Sequence, residues 1–267
     1  MATGSLHVNR DIILATKRKH LAQRKQHTPT EAVLAMAQMQ RRPRRLLSFA
    51  SDKQAITLIA QVTRPPRYDP VTSALHCLYN GAHAIAFFTD HAIYEDDLDD
   101  MLIVARALGD APVLYQNYIL DEYNVMLARS ADASSVMLYN SFLDRATLRQ
   151  CVSMAQRWKM TAMVQIDTPE DLDAALTLSP HALAFGDPQH TGNLEQTIEF
   201  LQDVRHDLPH YVHVLPVPTL YTLDEVAFAV QTAVDAIIVS EDLLRHERSA
   251  RIIRDLLQTA EAERAER

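Results

Sequence analysis

Chemistry in this chain would have to come from the polar residues that close its apolar runs. Eight such runs end in, or are followed by, Gln61, Thr63 and Arg64; Thr89 and Asp90; Gln116 and Asn117; Tyr139 and Asn140; Gln165 and Asp167; Gly186, Asp187 and His190; Pro216, Pro218 and Thr219; and Ser240, Glu241 and Asp242. General acid–base catalysis needs a group whose pKa can be tuned toward neutrality. Asp90, Asp167 and His190 are the titratable candidates, and Arg64 is a candidate for holding an anion. The plainer reading of the aspartates is a loop cap or a solvated carboxylate, and of His190 a loop histidine. Gln61, Gln116, Asn117 and Gln165 carry amides, which hydrogen-bond but do not titrate. Asn117, Thr219, Ser240 and Glu241 complete the ligand-binding candidates. The twelve histidines form no HExxH or comparable cluster, so no metal is expected, and no cofactor.

The elements that would position these residues follow a repeating pattern. Ala111 to Tyr139 reads as strand, short loop, helix and strand, with Asp121 as the helix cap and Tyr123, Val125, Met126 and Leu127 as its apolar face. Helix plus buried strand at this spacing is a βαβ unit, the building block of parallel sheets. The apolar runs are Ile56–Val62, Ala84–Phe88, Val113–Tyr118, Val136–Tyr139, Ala162–Ile166, Ala182–Phe185, Val212–Leu215 and Ala236–Val239, mostly separated by helical patterns. Two of those helices open with clear caps, Thr168-Pro169-Glu170-Asp171 and Thr222-Leu223-Asp224-Glu225. Eight buried strands alternating with helices describe an α/β protein of the (β/α)8 TIM-barrel type. A doubly wound open sheet is the alternative, weakened by the strand count and by the absence of GxGxxG after the first strand.

Two helices precede the barrel. One spans Asn9 to His27, polar and basic, with Ile12, Ile13 and Leu21 as anchors. The second is expected to open with a capping box at Thr28-Pro29-Thr30-Glu31 and to present Val33, Leu34, Met36 and Met39 as a core stripe. Residues 1–45 are read as an N-terminal helical extension packed on the barrel and 46–267 as the barrel itself.

Composition sets the bounds. The 267 residues are 48% hydrophobic with net charge -8, which suits a soluble protein that does not bind nucleic acid as a whole. Residues 1–45 nevertheless carry ten Lys/Arg against Asp11 and Glu31. A basic arm beside an acidic body most simply lies on that body. Cys77 and Cys151 sit in amphipathic helical patterns without metal-ligand spacing and read as buried thiols in a reducing compartment. Neither a signal peptide nor a membrane-spanning run is present, so a cytoplasmic setting is expected.

Barrels that bind phosphorylated substrates commonly do so with backbone N–H groups after strands 7 and 8. Here those loops read PVPTLYT and VSEDLL, without glycine, with two prolines that lack N–H donors and with Glu241 and Asp242 adding negative charge. A conventional phosphate cradle is not expected.

From about Asn9 to Leu257 the chain resembles the indole-3-glycerol phosphate synthase family of (β/α)8 lyases with a helical N-terminal extension. DIILATKRKHLAQRK resembles the opening helix, LIAQVTRPP the motif IAExKxxSP, and YDPVTSALHCLYNGAHAIAFFTDHAIYEDDL the segment DP…GAxAISVLTDxxFFxGSL. VLYQNYILDEYNVMLARSADASSVMLY resembles VLRKDFIIDxYQIxxARxxGADAILLI, and YTLDEVAFAVQTAVDAIIVSEDLLR resembles FTPEDVxxLxxxGADAVLVGESLMR. The resemblance implies closure of an indole ring on a carboxyphenylamino-deoxyribulose phosphate, with loss of carbon dioxide and water. It also implies which positions should act. The first-strand Glu and Lys fall on Gln61 and Thr63, the general-acid Lys on Gln116 and the strand-5 Glu on Gln165. The Asn and Arg after strand 6 fall on Gly186 and Pro188, and the Ser-Gly after strand 7 on Pro218 and Thr219. The Gly and Ser of GES fall on Ser240 and Asp242, with Glu241 kept.

Two readings follow. In the first, the barrel is an inactive homologue with a binding or interaction role, taking a small molecule at its mouth or a protein partner. In the second, it is an enzyme of changed chemistry acting on a small anionic ligand through Asp90, Asp167 or His190 and Arg64. Retention of the ancestral lyase activity is a third. A mouth filled by Tyr115, Tyr118, Tyr139 or the proline-bearing strand-7 loop would favour the first.

Overall fold

The computed structural model describes residues 10–47, 55–63, 69–88, 98–186 and 194–266. Two helices lead, α1 (Arg10–His27) and α2 (Thr30–Met39). The alternating series follows as β1 (Thr57–Val62), α3 (Pro70–Tyr79), β2 (Ala84–Phe88), α4 (Leu98–Ala107), β3 (Val113–Gln116), α5 (Glu122–Ser130) and β4 (Ser135–Leu138). It continues through α6 (Arg145–Arg157), β5 (Thr161–Ile166), α7 (Pro169–Leu176), β6 (Ala182–Phe185), α8 (Leu194–Arg205), β7 (His213–Pro216), α9 (Leu223–Val230) and β8 (Ala236–Ser240). Short α10 (Glu241–Arg245) and long α11 (Glu247–Ala265) complete it.

All strand pairs are parallel, in the order β7-β6-β5-β4-β3-β2-β1-β8. The two ends meet: the Asp235 N–H donates to Val214 O at 2.8 Å, and Leu220 bridges in parallel to Val239. The fold is a (β/α)8 barrel, as the strand count implies. Period-2 alternation sorts its residues into two layers. Leu58, Ala60, Val62, Ile85, Phe87, Tyr115, Val136 and Leu138 face the helices in one buried cluster. Ile59, Ala84, Ala86, Leu114, Met137, Met163, Ala184, Leu215 and Ile238 fill the interior in another.

Local caps behave as their chemistry requires. Asp121 accepts from the Asn124 N–H, and full capping boxes form at Thr168/Asp171 and Thr222/Glu225. The box expected at Thr28 does not form. Pro29 is the N-cap of α2, no side chain caps it, and Thr28 instead gives its carbonyl to the Tyr123 hydroxyl at 2.7 Å. The expected stripe on α2 is also corrected. Val33 and Ala37 are buried, whereas Leu34, Met36 and Met39 are exposed, because α2 docks on α5 through one narrow i, i+4 face. That docking explains why α5 is buried nearly all round, from Tyr123 to Arg129.

The arm wraps the barrel from mouth to base. At the strand C-termini, Ile13 and Leu14 of α1 join the interior cluster together with Tyr118, Tyr139 and Phe142, and Lys25 pairs with Asp121. At the strand N-termini, Leu46 and Leu47 plug the same cluster. Asp132, at φ 64, pairs there with Arg129 at 3.2 Å and with Arg41 and Arg44 at 3.6 Å each. The Arg129 guanidinium donates to Ala133 O at 2.7 Å and also to Arg41 O. Burial lowers the pKa values of Arg44 and Arg129, and the Asp132 carboxylate opposes it. The basic arm thus meets acidic groups of the body at both ends.

Candidate functional site

Alternation along the strands turns Gln61, Gln116, Gln165 and Ser240 toward the barrel axis near the mouth. Gln61 Nε2 donates to Gln116 Oε1 at 2.9 Å, and both side chains are buried. Gln165, fully buried, donates to Gly186 O at 2.9 Å and accepts from the Ser141 N–H at 3.4 Å. Three amides at positions where acid–base groups would be expected are thus satisfied by one another or by backbone, which a buried polar group requires.

Gly186 is a backbone device. It sits at φ +106, and a Cβ there would lie 2.7 Å from Thr197 Oγ1 and 3.4 Å from Pro218 Cδ. A side chain there would be strained and would press on Thr197, so position 186 works through its backbone, the carbonyl toward Gln165 and the N–H toward Ile166 O at 2.9 Å. Asn117 is committed too: its Nδ2 donates to the Tyr115 hydroxyl at 2.9 Å, and its Oδ1 accepts from the Tyr118 N–H at 2.7 Å.

On the β8 side, Glu241 is the buried carboxylate among the described candidates, 5% exposed. Its Oε1 accepts from the Thr63 N–H at 3.4 Å and the Thr63 hydroxyl at 3.3 Å, and its Oε2 lies 3.4 Å from Arg245. Ser240 caps α10 by accepting from the Asp242 N–H at 3.3 Å, which engages one of its two hydroxyl lone pairs. A cleft of about 270 Å³ lies between α3 and α10, lined by Asp69, Thr72, Ser73, His76, Glu241 and Arg245. Thr219 and Pro218 are half-buried beside Leu220. Asp167 is exposed and its backbone N–H points to Asp171 Oδ2 at 3.4 Å, so the structure places it in the solvated cap of α7. Arg64, Asp90 and His190 lie outside the described residues, as do Thr89, Asp187 and Pro188.

Aromatic rings occupy the β3–β4 side of the mouth. Tyr118 stands 5.5 Å from Tyr139 and 4.5 Å from Phe142, centroid to centroid, and Tyr139 is 6.4 Å from Phe142. Tyr139 and Phe142 are buried. Tyr115 does not join them, since strand alternation sends it outward into the helix-facing cluster. Two contributors escape the sequence pattern. Phe142 lies in a one-turn 3-10 helix after β4. Lys17 is buried on the same stripe of α1 as Ile13, Leu14 and Leu21, a spacing that is legible but hidden by the polar composition of the helix. Cys77 and Cys151 are buried, and burial pushes both thiols up to about 12, which leaves them inert.

Among the described residues no three His, Cys, Asp or Glu side chains converge as a metal site would need. No described helix is long and apolar enough to cross a membrane.

The sequence profile of the family described as indole-3-glycerol phosphate synthase matches residues 10–256. The chain is 22% identical over 259 residues to the indole-3-glycerol phosphate synthase of Zymomonas mobilis subsp. pomaceae, covering 92% of this chain and 96% of that one. It is 27% identical over 260 residues to that of Kineococcus radiotolerans, covering 92% and 94%. Among solved structures, 3-hexulose-6-phosphate synthase from Salmonella typhimurium superposes with a TM-score of 0.64 at 16% identity, over 77% of this chain and all of that one. Thiamine phosphate pyrophosphorylase from Pyrococcus furiosus does so with 0.57 at 14% identity, over 79% and 98%. These two likenesses concern the fold alone.

Proposed function

This chain belongs to the indole-3-glycerol phosphate synthase family, and from that premise we propose that it is a catalytically silent member, a barrel kept for binding or interaction. The observation that carries the proposal is the amide set Gln61, Gln116 and Gln165, buried and mutually or backbone-satisfied. The family reaction needs a proton donor to the carbonyl and an acid or base for dehydration. Amides supply neither, and general acid–base groups contribute about 10²–10⁴-fold each. Effects within one site are not additive, so the expected residue of activity is a trace rather than a product of factors. The β8 side supports the same reading, since Ser240 and Glu241 are engaged within the protein and Asp242 adds charge that repels a phosphate. The role fits a cytoplasmic setting, with a small molecule at the mouth or a protein partner as its target.

A second reading, an enzyme of changed chemistry on a small anionic ligand, draws on Glu241. A buried carboxylate beside Thr63 and Arg245, lining a cleft, is a group that a new reaction could recruit. The test is calorimetric titration of the full chain with the carboxyphenylamino-deoxyribulose phosphate, followed by a search for indole fluorescence. Binding without product, or no binding, supports the silent barrel; robust turnover defeats it. Turnover of another anionic substrate that is lost in Glu241→Gln establishes the second reading.

A further inference from the structure

We propose that α1 builds an oxyanion-binding seat at the barrel mouth, on the β3 side, from Lys17, His20 and Arg24. These residues stand at i, i+3 and i+7 and therefore share one helix face. Together with Asn117, Tyr118 and Asn124 they line one small cleft between α1 and the segment after β3. Among the described residues, no acidic side chain lines it. Lys17 is 6% exposed, in a stripe otherwise formed by Ile13, Leu14 and Leu21. Lys17 and Arg24 set two basic side chains on the lining of the cleft, where an anion would meet complementary charge.

The surroundings strengthen that assignment. The chain as a whole carries -8, yet this cleft is lined by three basic groups and two amides. Asn117 is fixed at its edge by the bond to the Tyr115 hydroxyl, so that wall is set before any ligand arrives. The cleft holds about 10 Å³, room for one water-sized group. It therefore takes a terminal oxygen of a carboxylate or phosphate, with the remainder of the ligand lying outside. The seat is across the mouth from Ser240, Glu241 and Asp242, and it does not depend on whether the barrel turns anything over.

The experiment is titration of the full-length protein with inorganic phosphate at constant ionic strength, balanced with chloride, followed by phosphorus-31 line broadening and by thermal shift. A saturable response is expected in the wild type. A charge-assisted hydrogen bond lost from a buried site weakens binding about tenfold or more, which is the loss expected for Lys17→Met. Arg24→Gln should weaken it in the same direction. Arg18→Gln, on the exposed face of α1, should leave it unchanged. Acetate competing as well as phosphate assigns the seat to carboxylates, and phosphate alone assigns it to phosphomonoesters; both support it. No saturable response, wild-type affinity in Lys17→Met, or an equal loss in Arg18→Gln overturns it. Should Lys17→Met fail to fold, the half-buried Arg24→Gln replaces it, and wild-type affinity in that variant overturns the seat equally. Turnover assays leave this result untouched, so its failure is separable from that of the silent-barrel reading.

Discussion

Gln61 on β1 donates a 2.9 Å hydrogen bond to Gln116 on β3, across the space left by β2 between them. The bond joins two positions at which the family resemblance places a carboxylate and an ammonium. The pair keeps a hydrogen bond there and removes the charge. The contact needs no substrate to complete it.

Restoring charge to one side alone should therefore destabilise the fold. Gln61→Glu or Gln116→Lys buries an unpaired ion, at a cost of about 3–5 kcal/mol. The double variant regains an ion pair, so its loss should fall short of the sum of the single losses by at least about 1 kcal/mol. Urea unfolding of the four proteins measures this. Strict additivity would mean that the two side chains are not coupled.

The ion cluster at the barrel base should hold the arm. Asp132→Gly keeps a residue that tolerates φ 64 but leaves Arg129 and Arg44 without their carboxylate. A loss of about 3 kcal/mol is expected, together with faster proteolysis between α2 and β1. Arg44 Nη2 already lacks a hydrogen-bond partner, so losing Asp132 adds to an existing deficit. An unchanged cleavage rate would assign the docking to Leu46 and Leu47 instead.

The aromatic group at the mouth should be part of the core rather than a mobile lining. Phe142→Ala removes a buried ring that stands 4.5 Å from Tyr118 and 6.4 Å from Tyr139. The expected cost is about 3–5 kcal/mol by denaturant unfolding. A cost under about 1 kcal/mol would show that the mouth collapses without it.

Acid should weaken the fold through His213. Burial lowers its pKa, which the Asp235 carboxylate partly opposes and Arg205 and His181 reinforce. The unfolded chain then binds a proton that the native state refuses. Stability is fully present above the unfolded value of about 6.5 and is lost as pH falls below it toward the folded value. The slope from this one group is at most about 1.4 kcal/mol per pH unit. Unfolding curves between neutral and mildly acidic pH should show the decline, and His213→Gln should flatten it. An unaltered slope would place the titration elsewhere.

Much of the fold is legible in the sequence because strand burial writes itself into apolar runs. Ala84–Phe88 and Ala182–Phe185 match their strands to the residue, and the Thr168 and Thr222 caps form as their spacing implies. The departures share a cause. Whether Leu34, Met36 and Met39 are buried depends on how much of α2 the neighbouring α5 covers, which no local pattern encodes. Phe142 and Lys17 reach the mouth through a one-turn helix and through the docking of the arm. At the site, the identity of the amides is readable, but the pairing of Gln61 with Gln116 is not, since 55 residues separate them. Asp167 stands exposed beside the cap of α7, the solvated loop position that its plainer sequence reading describes.

Catalytic silence is tested most directly by a single-turnover assay with protein in excess over carboxyphenylamino-deoxyribulose phosphate, following indole fluorescence. No product above the protein-free control is expected over the time in which an ordinary enzyme, at about 1–10³ per second, would have consumed the substrate completely. Complete conversion on that timescale would contradict it, and would mean that groups other than Gln61, Gln116 and Gln165 move the protons.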